Sequence, residues 1–228
     1  MKKHDYLFLL CVLVCFLPFF LSNSVYGWYQ QFNAKHGMLM SFLKFAALST
    51  LGEVIGLRIS TGYYNRSGFG ILPRAVVWGV LGMGINMAFI VFSTGVPAFA
   101  TYLGVADAPG IMSGPLTGAK VGLAFAISVT MNSIFAPVFM TFHKITDTHI
   151  LATGGTLKGL FSPIPMGKIL QGLNWKVQWN FVFKKTIPLF WFPAHTITFL
   201  LPGNMRVLFA ALLGIVLGIF LAIAARKK

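Results

Sequence analysis

Apolar residues in this chain fall in long blocks, separated by short polar or proline-containing joints. The period-2 alternation of half-buried strands is absent. Uncharged or nearly uncharged blocks cover 6–21, 38–59, 75–96, 121–142, 187–201 and 205–225. A membrane-crossing helix needs about 20 mostly apolar residues. The pattern therefore predicts an all-α, polytopic transmembrane helix bundle of about six hydrophobic segments. The first block follows Lys2 and Lys3 and precedes the small residues Ser22 and Ser24, so it also has the layout of a cleavable signal peptide. Residues 1–24 are thus a signal-like or first transmembrane segment, and 25–228 form a single bundle domain. Cleavage of the first segment would leave five.

Between the fourth and fifth blocks, 143–186 is long and basic. Apolar residues at 166, 169, 170, 173, 177 and 181 make an i, i+3, i+4 stripe, with Lys168, Gln171, Asn174 and Gln178 off it. This predicts an amphipathic interfacial helix. Trp175 and Trp179 lie one turn apart, and Lys168, Lys176, Lys184 and Lys185 suit anionic lipids at the inner leaflet. A helix packed beneath the bundle fits the same stripe. Tyr26, Trp28 and Tyr29 mark a second, aromatic interfacial stretch at 25–37.

Composition agrees with the blocks. Of 228 residues, 57% are hydrophobic and 10% charged, against about 25% charged in soluble domains. Mean hydropathy is +0.79. A soluble enzyme, a disordered chain and a disulfide scaffold are excluded. Lys and Arg number 18 against four acids, Asp5, Glu53, Asp107 and Asp147. No run of basic residues with interleaved aromatics forms a nucleic-acid groove, so the charge is read as topological. With the N-terminus inside, thirteen basic residues fall on the inner side (Lys2, Lys3, Arg66, Arg74, Lys144, Lys158, Lys168, Lys176, Lys184, Lys185, Arg226, Lys227 and Lys228). Three, Lys35, Lys120 and Arg206, fall outside. The bias places both termini on the cytoplasmic side of an inner or organelle membrane if the first segment is retained.

Catalytic patterns are missing. The sequence contains no GxSxG, P-loop or HExxH motif, and no cofactor is implied. His143 and His149, near Asp147, read as loop residues at the membrane surface and not as metal ligands. Cys11 and Cys15 read as small buried hydrophobes. Gly52-x-x-x-Gly56 and Gly214-x-x-x-Gly218 lie within blocks, and Gly110, Gly114, Gly118 and Gly122 recur every four residues. Such spacing serves close helix packing or self-association into a homo-oligomer.

Polar groups at membrane depth are the stronger lead, because each must face protein or water. Glu53 is the one acid placed within a block. The glycines beside it predict that it faces the bundle, with a partner on another span: Arg74, Asn86 or Asn132. These four and Arg206 are the candidate path-lining or buried polar residues. Pro137 and Pro202 are the candidate hinges.

Several short motifs resemble one family. They are Trp28-Tyr29 ahead of Leu51-Gly52-Glu53, and Arg74 with Gly82 and Gly84 eight and ten residues on. Phe135-Ala136-Pro137, Asn174-Trp175, Pro202 with Arg206 four residues later, and Phe220-Leu221 complete the set. Together they resemble the small integral membrane proteins of the Mpv-seventeen and peroxisomal 22-kDa membrane protein family, over roughly residues 28–225. Met131 stands where that family has an acid, and Leu217 where it has a tryptophan. The resemblance implies a bundle with four main spans and, in some members, a weakly selective channel for small solutes. The function expected is thus a channel or transporter for small solutes or ions. The alternative is a non-transporting scaffold or chaperone whose basic inner face recruits lipid or a partner. Reporter fusions at Lys158 and at the C-terminus should both register as cytoplasmic; a lumenal or periplasmic signal at either would overturn the topology.

Overall fold

The computed structural model describes residues 3–226. Lys2, Lys227 and Lys228, counted above among the inner charges, lie outside the described residues. Every regular element among the described residues is helical. The chain divides into two compact units, Met1–Met40 and Ser41–Lys228.

The first unit holds α1 (Lys3–Phe16), α2 (Pro18–Leu21) and α3 (Asn23–Lys35). Pro18 has no N–H with which to continue the helical ladder, so α1 stops after 14 residues and one turn follows. Ser22 is extended, and its side chain accepts a bond from the Val25 amide, capping α3. Phe19 and Tyr29 meet edge to face at 5.8 Å and tie α2 to α3. Cys11 and Cys15 are exposed, contrary to expectation. The reason is that α1 buries no residue and so offers the thiols no core.

The second unit is built on α4 (Gly37–Thr61, entered from the first unit), α5 (Ile71–Tyr102), α6 (Ala108–Ser113) and α7 (Gly118–Ala152). These are followed by α8 (Leu157–Leu160), α9 (Met166–Gly172), α10 (Trp175–Val177), a π-wound segment (Gln178–Trp191), α11 (Phe192–Leu200) and α12 (Gly203–Arg226). Among the described residues, α4, α5, α7 and α12 are long and apolar enough to cross a membrane. The 32 residues of α5 and 35 of α7 correspond to about 48 and 52 Å at 1.5 Å per residue, beyond the ~30 Å hydrocarbon layer. Their ends must project or the helices must tilt.

Two sequence expectations change. The fourth block does not end at 142. Residues 138–153 contain neither glycine nor proline, so α7 continues to Ala152 and stops only before Gly154 and Gly155, both at positive φ. His143, Lys144, Asp147 and His149 are therefore helical, not loop residues. Pro137 leaves the helix unbroken, and the Thr141 hydroxyl donates to its carbonyl at 2.8 Å. Next, the stripe over 166–181 is not one amphipathic helix. Leu173 is extended, and Asn174 starts a new helix by accepting from the Val177 amide. From Gln178 the winding widens to i→i+5, with Pro188 inside it. A 3.6-residue stripe cannot hold its face through wider turns, and Gln178 is buried while Val177 and Phe181 are exposed.

The main elements alternate in direction. Glu53 and Phe45 of α4 lie against Arg74 and Gly82 of α5, so these helices are antiparallel. Arg74 and Trp78 meet Asp147 and Phe139 of α7, again antiparallel. The helical run from Trp175 to Leu200 returns along α7, with Phe192 beside Ser128 and Ile187 beside Ala136. Helix α12 is parallel to α4: Gly52 faces Ile215, and Gly56 faces Gly218 and Ala222. The two small-residue motifs thus pair with each other, because lipid supplies no hydrophobic drive and backbones must approach closely instead.

A Cβ on Gly52 would stand 3.0 Å from Ile215 Cα, which is backbone and cannot swing away. Gly52→Leu should destabilise the fold by about 1–3 kcal/mol, seen as a lower melting temperature in detergent. Gly84→Ala, with open space around it, should leave the melting temperature unchanged.

Candidate functional site

At one end of the bundle, three helices bring four charged side chains together. Arg74 is the hub and is almost fully buried. Its Nη1 reaches Glu53 Oε2 at 2.5 Å, its Nη2 contacts Asp147 Oδ1, and its Nε donates to the Phe69 carbonyl at 2.8 Å. The guanidinium also lies 4.4 Å from the Phe69 ring centre. Glu53 Oε1 accepts from Trp78 Nε1 at 2.9 Å and faces His143 Nε2 at 3.3 Å. Lys144 Nζ closes the cluster on Asp147 Oδ2 at 3.3 Å. Two carboxylates against two basic side chains balance. Burial of ions is tolerable when they are paired and hydrogen-bonded, and here each carboxylate is paired with the Arg74 guanidinium. No space the size of a water molecule is left among them.

Two tight turns place Arg74. Gly70, at φ 73°, precedes α5, and Gly155, at φ 68°, follows α7. A Cβ on Gly70 would lie 2.8 Å from Gly155 Cα, and one on Gly155 would lie 2.7 Å from the Gly70 nitrogen. Only glycines can adopt this backbone and approach this closely. The clasp joins the start of α5 to the end of α7, and so sets Arg74 against Asp147. His149 is buried beneath it and its Nε2 donates to the Gly159 carbonyl at 2.9 Å, a structural role. Among the described residues no three His, Cys, Asp or Glu side chains form a metal-binding group.

A second polar cluster lies farther along α7. Asn132 Nδ2 donates to the Ser128 carbonyl at 2.8 Å, and its Oδ1 accepts from His195 Nδ1 at 3.1 Å. The Ser128 hydroxyl donates to the Phe192 carbonyl at 2.8 Å. Phe89 and Trp191 pack their rings against His195 at 5.5 and 4.9 Å. Eleven residues separate Asn132 from His143, about 16 Å along the helix. Aromatic rings fill that interval: Phe135 to Phe139 at 5.4 Å, Phe139 to Trp78 at 6.5 Å, Trp78 to His143 at 4.4 Å. Ser128, Asn132, Phe135, Phe139 and His143 follow the i, i+4, i+7 spacing of one helical face.

Of the residues expected to line a path, the structure joins Glu53 to Arg74 and places Asn132 in the second cluster. Asn86 is half-buried on α5. Arg206 is occupied at a turn, its Nε and Nη2 donating to the carbonyls of Leu201 and Phe199 at 3.1 and 3.2 Å. Pro202 sits between α11 and α12, and Pro137 within α7. Lys168, Trp175, Lys176, Trp179, Lys184 and Lys185 are all exposed. Glu53 is the one acid within a block, yet a second acid from beyond the fourth block, Asp147, shares its arginine. Sequence reasoning also missed Trp78, His143, Ser128 and His195. The signal for His143 and Asp147 was their four-residue spacing in a stretch with no helix breaker. Comparison of the chain with family models, curated proteins and solved structures returned no match.

Arg74→Met would leave Glu53 and Asp147 without their shared cation, at an expected cost of about 3–5 kcal/mol. Glu53→Gln should cost less, since Arg74 keeps Asp147 and the amide oxygen still accepts from Trp78. Thermal unfolding in detergent checks this ranking; equal losses would show that Arg74 is not the hub.

Proposed function

We propose that this protein is a polytopic membrane protein that passes small solutes or ions along the inner face of α7, and that the structure is its closed state. The observation that carries the reading is the placement of two hydrogen-bonded polar clusters on one face of α7, joined by a ladder of aromatic rings. Polar side chains at membrane depth are retained where they face protein or a path, and aromatic constrictions close a path by excluding water. The four membrane-length helices equal the main spans implied by the likeness to the Mpv-seventeen family. The run from Trp175 to Leu200 supplies a fifth crossing, since α12 is parallel to α4 and must start from the opposite side. Lys184 and Lys185 then extend along the helix toward the inner interface. Self-association would use Gly118 and Gly122, whose surroundings are open, and not the paired motifs of α4 and α12.

The scaffold reading has its own support, the water-free charged cluster and the glycine-packed α4–α12 contact. Planar-bilayer recording separates the two. In a conduit, Phe139→Ala should raise open probability severalfold, and Glu53→Gln should alter ion selectivity while the protein remains folded. Silent bilayers with wild type and with Phe139→Ala would favour the scaffold.

A further inference from the structure

On the outer surface of the bundle, α7 and the π-wound segment part to leave an open groove of about 340 Å³. Pro137, Val138, Thr141, Phe142 and Ile145 form one wall and Phe183 the other. The lining is almost entirely apolar. The Thr141 hydroxyl is turned onto its own helix, donating to the Pro137 carbonyl at 2.8 Å. Over two turns of α7 the groove is therefore suited to a hydrocarbon chain and offers no hydrogen bond to a polar ligand.

The segment that forms the groove's second wall carries charge of one sign. Phe183 is followed directly by Lys184 and Lys185, both exposed. The Lys184 ammonium stands 5.8 Å from the Trp179 ring, which is itself exposed. Residues 166–200 contain four lysines and no acid. An apolar groove beside a lysine pair and exposed tryptophans is complementary to an amphiphile with one anionic head, the chemistry of basic inter-helix sites for acidic headgroups. A zwitterionic lipid would fill the groove equally well but gain nothing from the lysines.

We propose that this groove is a discrete site for one anionic phospholipid, an acyl chain lying between α7 and Phe183 and its phosphate held by Lys184 and Lys185. The site deepens the expectation that the basic segment meets anionic lipid at the inner leaflet. Its test needs neither that topology nor conduction, so failure of either reading is seen separately.

Native mass spectrometry of the full-length protein in detergent, with phosphatidylglycerol and phosphatidylcholine of matched chains, measures it directly. One phosphatidylglycerol should be retained at least tenfold more tightly than phosphatidylcholine. Lys184→Gln with Lys185→Gln should weaken phosphatidylglycerol by roughly 30-fold, about fivefold for each lysine, and leave phosphatidylcholine unchanged. The double arginine variant should keep the preference. Thr141→Trp, which fills the groove, should weaken both lipids; circular dichroism and melting show whether it folds, and the exposed lysine variants decide the matter if it does not. Equal retention of the two lipids would overturn the proposal. So would indifference to the glutamine pair, or a lipid-free dimer mass showing a second copy on this face.

Discussion

Everything at this end of the bundle, where α4, α5 and α7 meet, depends on how one buried guanidinium is satisfied. Arg74 sits near the start of α5 with almost no exposure, and an ion so placed is tolerable only if it is paired and hydrogen-bonded. Those partners come from three places: Glu53 on α4, Asp147 on α7 and the Phe69 carbonyl in the preceding turn. Each fixes a different degree of freedom. The carboxylates hold the approach of two helices to α5, and the carbonyl holds the side chain to its own turn. The Gly70–Gly155 clasp is the backbone counterpart of this arrangement. Without close approach of the two turns, Arg74 and Asp147 could not share one level of the bundle.

Away from that end, packing follows different physics. In lipid there is little hydrophobic gain from joining apolar helices, so contact area and backbone proximity decide which faces meet. Glycines supply both. Gly79 and Gly82 admit the Phe42 and Phe45 rings into α5, while Gly52, Gly56 and Gly218 let α4 and α12 touch almost backbone to backbone. The wider turns of the π-wound segment are a third device. They bury Gln178 and Ile187 and leave Lys184 and Lys185 on the surface, an arrangement that a regular α-helix through these residues would not produce.

The polar stripe of α7 connects these parts. Ser128 and Asn132 bind the returning helix through Phe192 and His195, and His143 and Asp147 bind α4 and α5. One helix therefore carries both hydrogen-bonded junctions, and the rings of Phe135, Phe139 and Trp78 occupy the length between them. The two junctions are thus held by one continuous helix.

The membrane character, the helical class and the burial of Glu53 toward the bundle were all legible in the sequence. They follow from local composition: long uncharged blocks, an acid too costly to leave in hydrocarbon, and glycines beside it. Arg74 stood among the named partners of Glu53 for the same reason, since an intramembrane acid needs a cation. The sequence by itself could not choose among Arg74, Asn86 and Asn132, because helix pairing and level are long-range quantities. Nor could it bring Asp147 to the same arginine as Glu53, 94 residues away, since the turn at Gly70, α5 and α6 lie between them. The stripe over 166–181 was misread for a related reason: the helix breaks at Leu173, and the period changes from Gln178 where the winding widens. Local chemistry determined which groups had to be satisfied. Only the tertiary structure decided which of them satisfy one another.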